Sequence, residues 1–344
     1  MIFNDNRKQA HMDICLEQDV ERGNPGFDAY RLLPESLPEM TMSDALTETF
    51  FLGKRLRYPF MIASMSGGVG GEFKFNHRLA RAAQKAGVAL ALGSLRPALE
   101  DAAYLQEYDV RHRAPDVPLL GNIAAWQLRE LSVRNRLYEL IDELQLDGIF
   151  VHVNVPQELI QPEGERNFDE VFHPLLAFIE RCPVPVFLKA VGQGLNTAHL
   201  PRLIRAGLTG IDVAGAGGTD WVVVEALRNP TNQTLNIARD LSHLATSTAD
   251  AIQDTRSQLK AIASDRGAVC VIGSGGIRTA HDMAIALGLG ADLVAAALPI
   301  LKAAYQSDDA LDDLLAYYHN GLRHLMVACG ARDLAQLRAR VLAV

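Results

Sequence analysis

Eight short runs rich in valine, isoleucine and leucine recur along this 344-residue chain, separated by segments of helical period. They are PFMIASM (59–65), VALALGS (88–94), VPLLGNI (117–123), GIFVHVN (148–154), VPVFLKA (184–190), GIDVAGA (210–216), AVCVIGS (268–274) and DLVAAAL (292–298). The runs are continuous rather than alternating, as expected of parallel strands covered on both faces. Helical segments between them include 72–86, 126–144, 169–181 and 279–289. Eight βα units over this length predict an α/β fold, a TIM (β/α)8 barrel, with an open doubly wound sheet as the competing arrangement. Residues 1–58 read as an N-terminal arm with a hairpin near 48–56, 59–305 as the barrel, and 306–344 as a C-terminal helical extension. The stretch from Gly215 to about Ser257 is too long for an ordinary βα connection and reads as a long loop after strand six, a lid or mobile insertion.

Composition narrows the partners. A formal net charge of −8 argues against nucleic acid or an anionic membrane, both of which need a basic surface. The N-terminus MIFNDNRKQAH has no apolar core of a signal peptide. The most apolar stretch, 291–304, is too short to span a bilayer and includes a proline and a lysine. Cys15, Cys182, Cys270 and Cys329 are scattered without ligand spacing, which suits a reduced cytoplasmic protein.

Barrel chemistry collects at the C-terminal strand ends. Read in order, these carry Ser64, Met65, Ser66, then Ser94 and Arg96, then Asn122, then His152 and Asn154 followed by Gln157 and Glu158. Lys189 ends strand five, AGAGGT (214–219) ends strand six, SGGIR (274–278) strand seven, and Ala296-Ala297 strand eight. Gly275 and Gly276, beside the loop after strand eight, predict an anion site where backbone N–H groups approach a phosphate; the competing reading is two tight turns. A lysine ending an apolar strand is costly unless it works, as a Schiff base, a base or the counter-charge of an anionic ring. His152 and Asn154 share a strand face. Glu158 suits an oxygen ligand of Mg²⁺ or a solvated carboxylate, and Arg7 and Lys8 alone read as a solvated face.

With those residues in place, the chain resembles the type 2 isopentenyl diphosphate isomerases, FMN-dependent TIM-barrel enzymes of isoprenoid biosynthesis. The resemblance runs through RKQAH (7–11), FLGKRLRYPFMIASMSGG (51–68), GSLR (93–96), HVNVPQELIQPEGERNF (152–168), KAVGQG (189–194), DVAGAGGTDW (212–221) and GSGGIR (273–278), in the family order. It implies FMN over the barrel mouth, its phosphate at Gly275–Gly276 and Ala296–Ala297. Ser64, Met65, Ser66, Ser94, Asn122, Lys189, Thr219 and Arg278 would complete the flavin site. It further implies a prenyl diphosphate held by Arg7, Lys8, Ser94, Arg96, His152 and Asn154, and Mg²⁺ on Glu158. Gln157 would lie near the allylic carbons, with Lys189 and His152 completing the catalytic group. NAD(P)H would reduce the flavin. The implied assembly is a homo-oligomer whose arm reaches a neighbouring subunit's site.

The departures are Ser66 for threonine, Leu95 in GSLR, Val153 and Val155-Pro156, and Ala190 and Asn196 in place of glutamate and serine. Loss of a carboxylate at Ala190 beside the flavin site would favour a non-catalytic flavin-binding relative. The 2-hydroxy-acid oxidases need a His-Gly-x-Arg constellation after strand six, where this chain reads AGAGGTDW. Inosine monophosphate dehydrogenase-like enzymes need a loop cysteine there, and none lies between Cys182 and Cys270.

Overall fold

The computed structural model describes residues 5–65, 74–262 and 268–344. Its centre is a closed barrel of eight parallel strands that pair in chain order. These are β1 (Phe60–Ile62), β2 (Ala89–Ala91), β3 (Leu119–Ala124), β4 (Gly148–His152), β5 (Val186–Lys189), β6 (Gly210–Asp212), β7 (Cys270–Ser274) and β8 (Leu293–Ala296). Seven fall inside one of the eight apolar runs, and β3 runs one residue past its own, to Ala124. The fold is thus an α/β TIM barrel, and the open sheet is excluded because β8 closes onto β1.

Alternate strand residues divide two cores, as the period of two requires. Met61, Ala89, Leu120, Phe150, Phe187, Ile272 and Leu293 pack in the barrel interior, while Phe60, Ile62, Leu90, Val151 and Leu188 face the helices. Gly210 makes room for Phe187, whose ring a Cβ at that position would meet at 2.5 Å. The predicted hairpin, Thr49–Phe51 with Lys54–Leu56, is present, and its Phe51 and Leu56 belong to the interior cluster. Phe51 lies 5.5 Å from Phe187, ring to ring, so the hairpin plugs the N-terminal end.

Two aspartates brace that same end at opposite sides of the barrel. Asp147, just before β4, accepts from Arg111 (2.6 Å), Lys54 (3.0 Å) and the Leu119 N–H (2.8 Å). Asp292, just before β8, pairs with Arg256 and Arg338 and accepts from the Val271 N–H at 3.0 Å. Each carboxylate ties the start of its strand to the preceding strand and to two cations.

Two expectations are corrected. The segment after β6 is not a loop: it folds as helices Trp221–Arg228, Asn232–Ser242 and Thr248–Ala261. Their N-caps, Asp220, Thr231 and Ser247, each accept a backbone N–H of the first turn, which supplies the local start signal. The C-terminal extension is helical over Asp308–Ala328 and Leu334–Arg338 but ends as a strand, Val341–Ala343, antiparallel to Tyr30–Leu32 of the arm. That strand is stabilised by a partner some 300 residues away, which local periodicity does not register.

Replacing Asp147 with alanine leaves two cations and a strand N–H without their acceptor. We expect Asp147→Ala to lower unfolding free energy by about 2 kcal/mol, as half-buried charge-assisted hydrogen bonds are lost. A urea unfolding curve checks this; an unchanged midpoint would contradict the bracing role.

Candidate active site

Two residues beyond the interior apolar position, four of the strands turn polar, whereas β1, β2 and β8 carry Ala63, Ala91 and Ala295 there. Leu120 is followed by Asn122, Phe150 by His152, Phe187 by Lys189, and Ile272 by Ser274. Register sets these groups side by side, His152 against Lys189 and Lys189 against Asp212. Lys189 Nζ donates to Asp212 Oδ2 at 2.6 Å, and both side chains are buried. Asp212 Oδ1 accepts from Ser274 Oγ at 2.5 Å and from the Ala214 N–H at 3.3 Å. The expected working lysine is therefore buried as one half of an ion pair, which lowers the cost of keeping its charge.

Two clefts open above this layer, of about 860 and 540 Å³ of non-atom space, and Ser64, Lys189, Val191 and Trp221 line both. The second cleft gathers Thr219, Gly275, Gly276, Arg278, Ala296 and Ala297, as expected. Helix Leu298–Gln306 starts here from Ala297 without a side-chain cap, whereas helix Ala280–Leu289 is closed by a Thr279–Asp282 capping box. The helix after β8 is thus the one whose N-terminal dipole is left for an anion. The two glycines also meet a packing constraint. A Cβ on Gly275 would meet Gly215 O at 2.2 Å, and one on Gly276 would meet Gly217 O at 2.7 Å. Loop-on-loop packing by itself demands glycine at both positions. Arg278 lines the cleft, but its guanidinium is paired to Glu21 of the arm.

The first cleft collects Arg7, Lys8, Ser94, Arg96, Asn122, His152, Asn154, Gln157 and Glu158, together with Met65. Ser66 lies outside the described residues. Arg7 and Lys8 come from the N-terminal helix Asp5–Glu17, which covers the mouth of its own barrel; the arm serves the cleft of the same chain. That helix is docked on Trp221–Arg228: His11 Nε2 lies 2.8 Å from Glu225 Oε1, and the His11 ring meets Trp221 edge-on at 5.3 Å.

Sequence reasoning missed Glu225, Asp212, His11 and Trp126. Glu225 is 1% exposed, accepts from Gln157 Nε2 (3.1 Å) and is paired with Arg228. Burial pushes its carboxyl up, but His11 and Arg228 outweigh that and hold it below the usual range. Because Glu225 takes the Gln157 N–H, Gln157 Oε1 turns to accept from Asn154 Nδ2 at 2.6 Å. The Gln157 amide is occupied on both sides. Glu158 is raised by burial; it accepts from the Glu165 N–H at 2.7 Å.

Cations crowd the first cleft, although Arg96 is paired with Glu100 at 2.7 Å and Arg7 lies 3.8 Å from Glu163. Burial, then Arg7 and Arg96, push Lys8 down to about 7. Burial, then Lys189 and Lys8, push His152 down to about 3. Arg7 is lowered by burial and by Arg96. Arg7 Nε, Ser64 Oγ and Asn154 Oδ1 are buried without hydrogen-bond partners, all three in groups that line this cleft. The two buried orphan donors, Arg7 Nε and Ser64 Oγ, beside Lys8 and Arg96 favour an anionic ligand, whereas Asn154 Oδ1 is an orphan acceptor. Among the described residues no cluster of three or more His, Cys, Asp or Glu side chains forms a ready metal site.

A buried strand-five lysine, an uncapped helix end after β8 and a cationic mouth mark the strand-end face of an α/β barrel as an anion-binding site. Residues 15–109 and 116–344 match the FMN-dependent dehydrogenase family. The isopentenyl-diphosphate delta-isomerase of Paracoccus zeaxanthinifaciens is 38% identical over 334 residues, 96% of this chain and 95% of that protein. That of Rickettsia rickettsii (strain Sheila Smith) is 37% identical over 332 residues, again 96% and 95%. The chain therefore belongs to the isopentenyl-diphosphate delta-isomerase family, within the FMN-dependent dehydrogenases. A mandelate oxidase variant with a monooxide FMN adduct superposes with a TM-score of 0.64 at 19% identity, over 99% of this chain and 92% of that one, and shares the fold. The second cleft fits the family's FMN: an uncapped helix N-terminus for the phosphate, the orphan Ser64 Oγ at the junction, and Lys189 on the shared floor.

His152 also links the cleft to stability. In the unfolded chain it binds a proton near its ordinary value, about 6.5, but in the folded chain only near 3. Between those values the unfolded state holds more protons, so stability is lost as pH falls below about 6.5, by up to about 1.4 kcal/mol per pH unit. Urea midpoints of the ligand-free protein between pH 7 and about pH 4 should show this slope, flattened in His152→Gln. Equal slopes would contradict a neutral His152.

Proposed function

We propose that this protein interconverts isopentenyl and dimethylallyl diphosphate by a 1,3-proton shift. The observation that carries the reading is the pair of adjoining clefts sharing Lys189: one ends at an uncapped helix, the other in the cations Arg7, Lys8 and Arg96. When bound in its reduced form, FMN supplies the acid–base group for proton transfer at the alkene. NAD(P)H is the electron source we propose for that reduction.

The side chains do the rest. Arg7, Lys8, Arg96, Ser94 and His152 hold the diphosphate, with Mg²⁺ on Glu158 sharing its charge. The His11–Glu225 contact keeps the roof helix closed over the cleft and restricts water. Lys189 offsets negative charge at the floor, oriented by Asp212. Gln157 serves as a fixed wall, its amide locked by Glu225 and Asn154.

Two of the departures noted in the sequence lie away from these clefts. Ala190 is buried but lines neither cleft, and Asn196 is exposed. Lys189 has its counter-charge in Asp212, so a carboxylate at 190 is not needed for that purpose. These positions give no support to a non-catalytic relative. Four free cysteines, and no helix among the described residues long and apolar enough to cross a membrane, support the cytoplasmic placement we propose. A homo-oligomer remains part of the proposal by family.

The test is anaerobic: protein with FMN, dithionite and Mg²⁺ is given isopentenyl diphosphate in D₂O, and label in the allylic product is followed by NMR. Turnover should require reduced flavin, and Lys189→Ala should lower kcat by roughly 100-fold or more while FMN stays bound. Turnover with oxidised flavin, or bound reduced FMN without turnover, would overturn the reading.

A further inference from the structure

We propose that His152 binds the diphosphate end of the substrate as an imidazolium, taking up a proton as the anion enters. This rests on the reading of the first cleft as a diphosphate site. The argument begins with a tautomer. His152 Nδ1 lies 2.6 Å from Asn122 Oδ1, and an amide oxygen only accepts, so Nδ1 carries the proton and donates. A neutral ring then offers Nε2 to the cleft as a lone pair. A diphosphate also presents lone pairs, so the two repel unless a proton stands between them.

The surroundings set when that proton arrives. The groups facing the cleft with His152 are Arg7, Lys8 and His11 from the roof helix, Arg96 after β2, and Lys189 from β5 with Asp212 behind it. Glu158 and Asn154 come from the loop after His152 itself, and Trp126, after β3, meets the imidazole edge-on at 6.0 Å. With the cleft free of anion, burial and the cations Lys189 and Lys8 hold the ring neutral. A bound diphosphate brings negative charge into the same space and reverses that balance. The uptake then converts repulsion at Nε2 into a charge-assisted hydrogen bond, and the proton comes from solution. His152 is thus a binding residue whose charge state is set by its ligand. Asn122 is a positioning residue that fixes which nitrogen is presented.

The test uses FMN-loaded protein and inorganic pyrophosphate, titrated calorimetrically in buffers of different ionisation heat. Wild type should take up about one proton more per pyrophosphate than His152→Gln near pH 7, the difference cancelling protons bound by Lys8 and by pyrophosphate itself. Between about pH 5 and pH 7 the wild-type affinity, relative to His152→Gln, should fall by up to about tenfold per pH unit. Histidine-labelled wild type supplies a second readout that needs no variant. Its free form should show the Nδ1–H tautomer of His152, and its complex an imidazolium. Equal proton counts, or a neutral ring in the complex, would overturn the proposal while leaving the diphosphate reading intact. An Nε2–H tautomer in the free protein, meaning an Asn122 amide turned the other way, would overturn it as well. Failure of wild type to bind pyrophosphate would overturn the reading of the cleft itself, and the proposal with it.

Discussion

The barrel interior changes from apolar to ionic within a single residue layer, and everything above depends on how that layer is neutralised. Phe150 and Phe187 close the hydrophobic core; two residues on, His152 and Lys189 stand side by side. Lys189 is balanced internally by Asp212. Lys8 is not balanced in that way, and the drop of its ammonium to about 7 reports the cost of holding it beside Arg7 and Arg96. A ligand of opposite charge relieves that cost, so the stability of the empty mouth and affinity for an anion are two sides of one imbalance.

The roof makes the imbalance tolerable. Arg7 and Lys8 sit at the start of a helix that has few tertiary partners of its own besides Trp221–Arg228 and Leu298–Gln306. The buried carboxylate of Glu225 anchors it through His11 and simultaneously sets the orientation of Gln157 and, through Gln157, of Asn154. One glutamate therefore couples closure of the mouth to the direction in which two amides point. Because Asn154 Nδ2 donates to Gln157 and, at 3.4 Å, to Glu158, its Oδ1 remains a buried acceptor in the cleft. Water or a bound cation can satisfy it, whereas an unprotonated phosphate oxygen cannot.

Much of this was legible in the sequence, for identifiable reasons. Strands buried on both faces are continuous apolar runs, so all eight, and the hairpin that plugs them, could be located. The polar positions at their ends followed from the period of two. That same rule, applied to GIDVAGA, would have found Asp212, two residues after the inward Gly210; the strand was instead read from its later glycines. Glu225 gave no local signal, since a carboxylate on an amphipathic helix ordinarily faces water, whereas here it meets His11 of the docked N-terminal helix and Gln157. The pairing of Val341–Ala343 with Tyr30–Leu32 was hidden for a similar reason. The glycines were read as special, but one neighbour went unread: backbone of an adjacent loop, in addition to any phosphate, forbids a side chain there.

The account stands on two adjoining anion sites that share Lys189. Its most direct test is a crystal structure of the FMN-loaded protein soaked with inorganic pyrophosphate. The account predicts two separate phosphate features: the flavin phosphate at Gly276, Ala297 and the start of helix Leu298–Gln306, and pyrophosphate among Arg7, Lys8, Arg96 and His152. Pyrophosphate elsewhere, or a flavin phosphate among those cations, would contradict it.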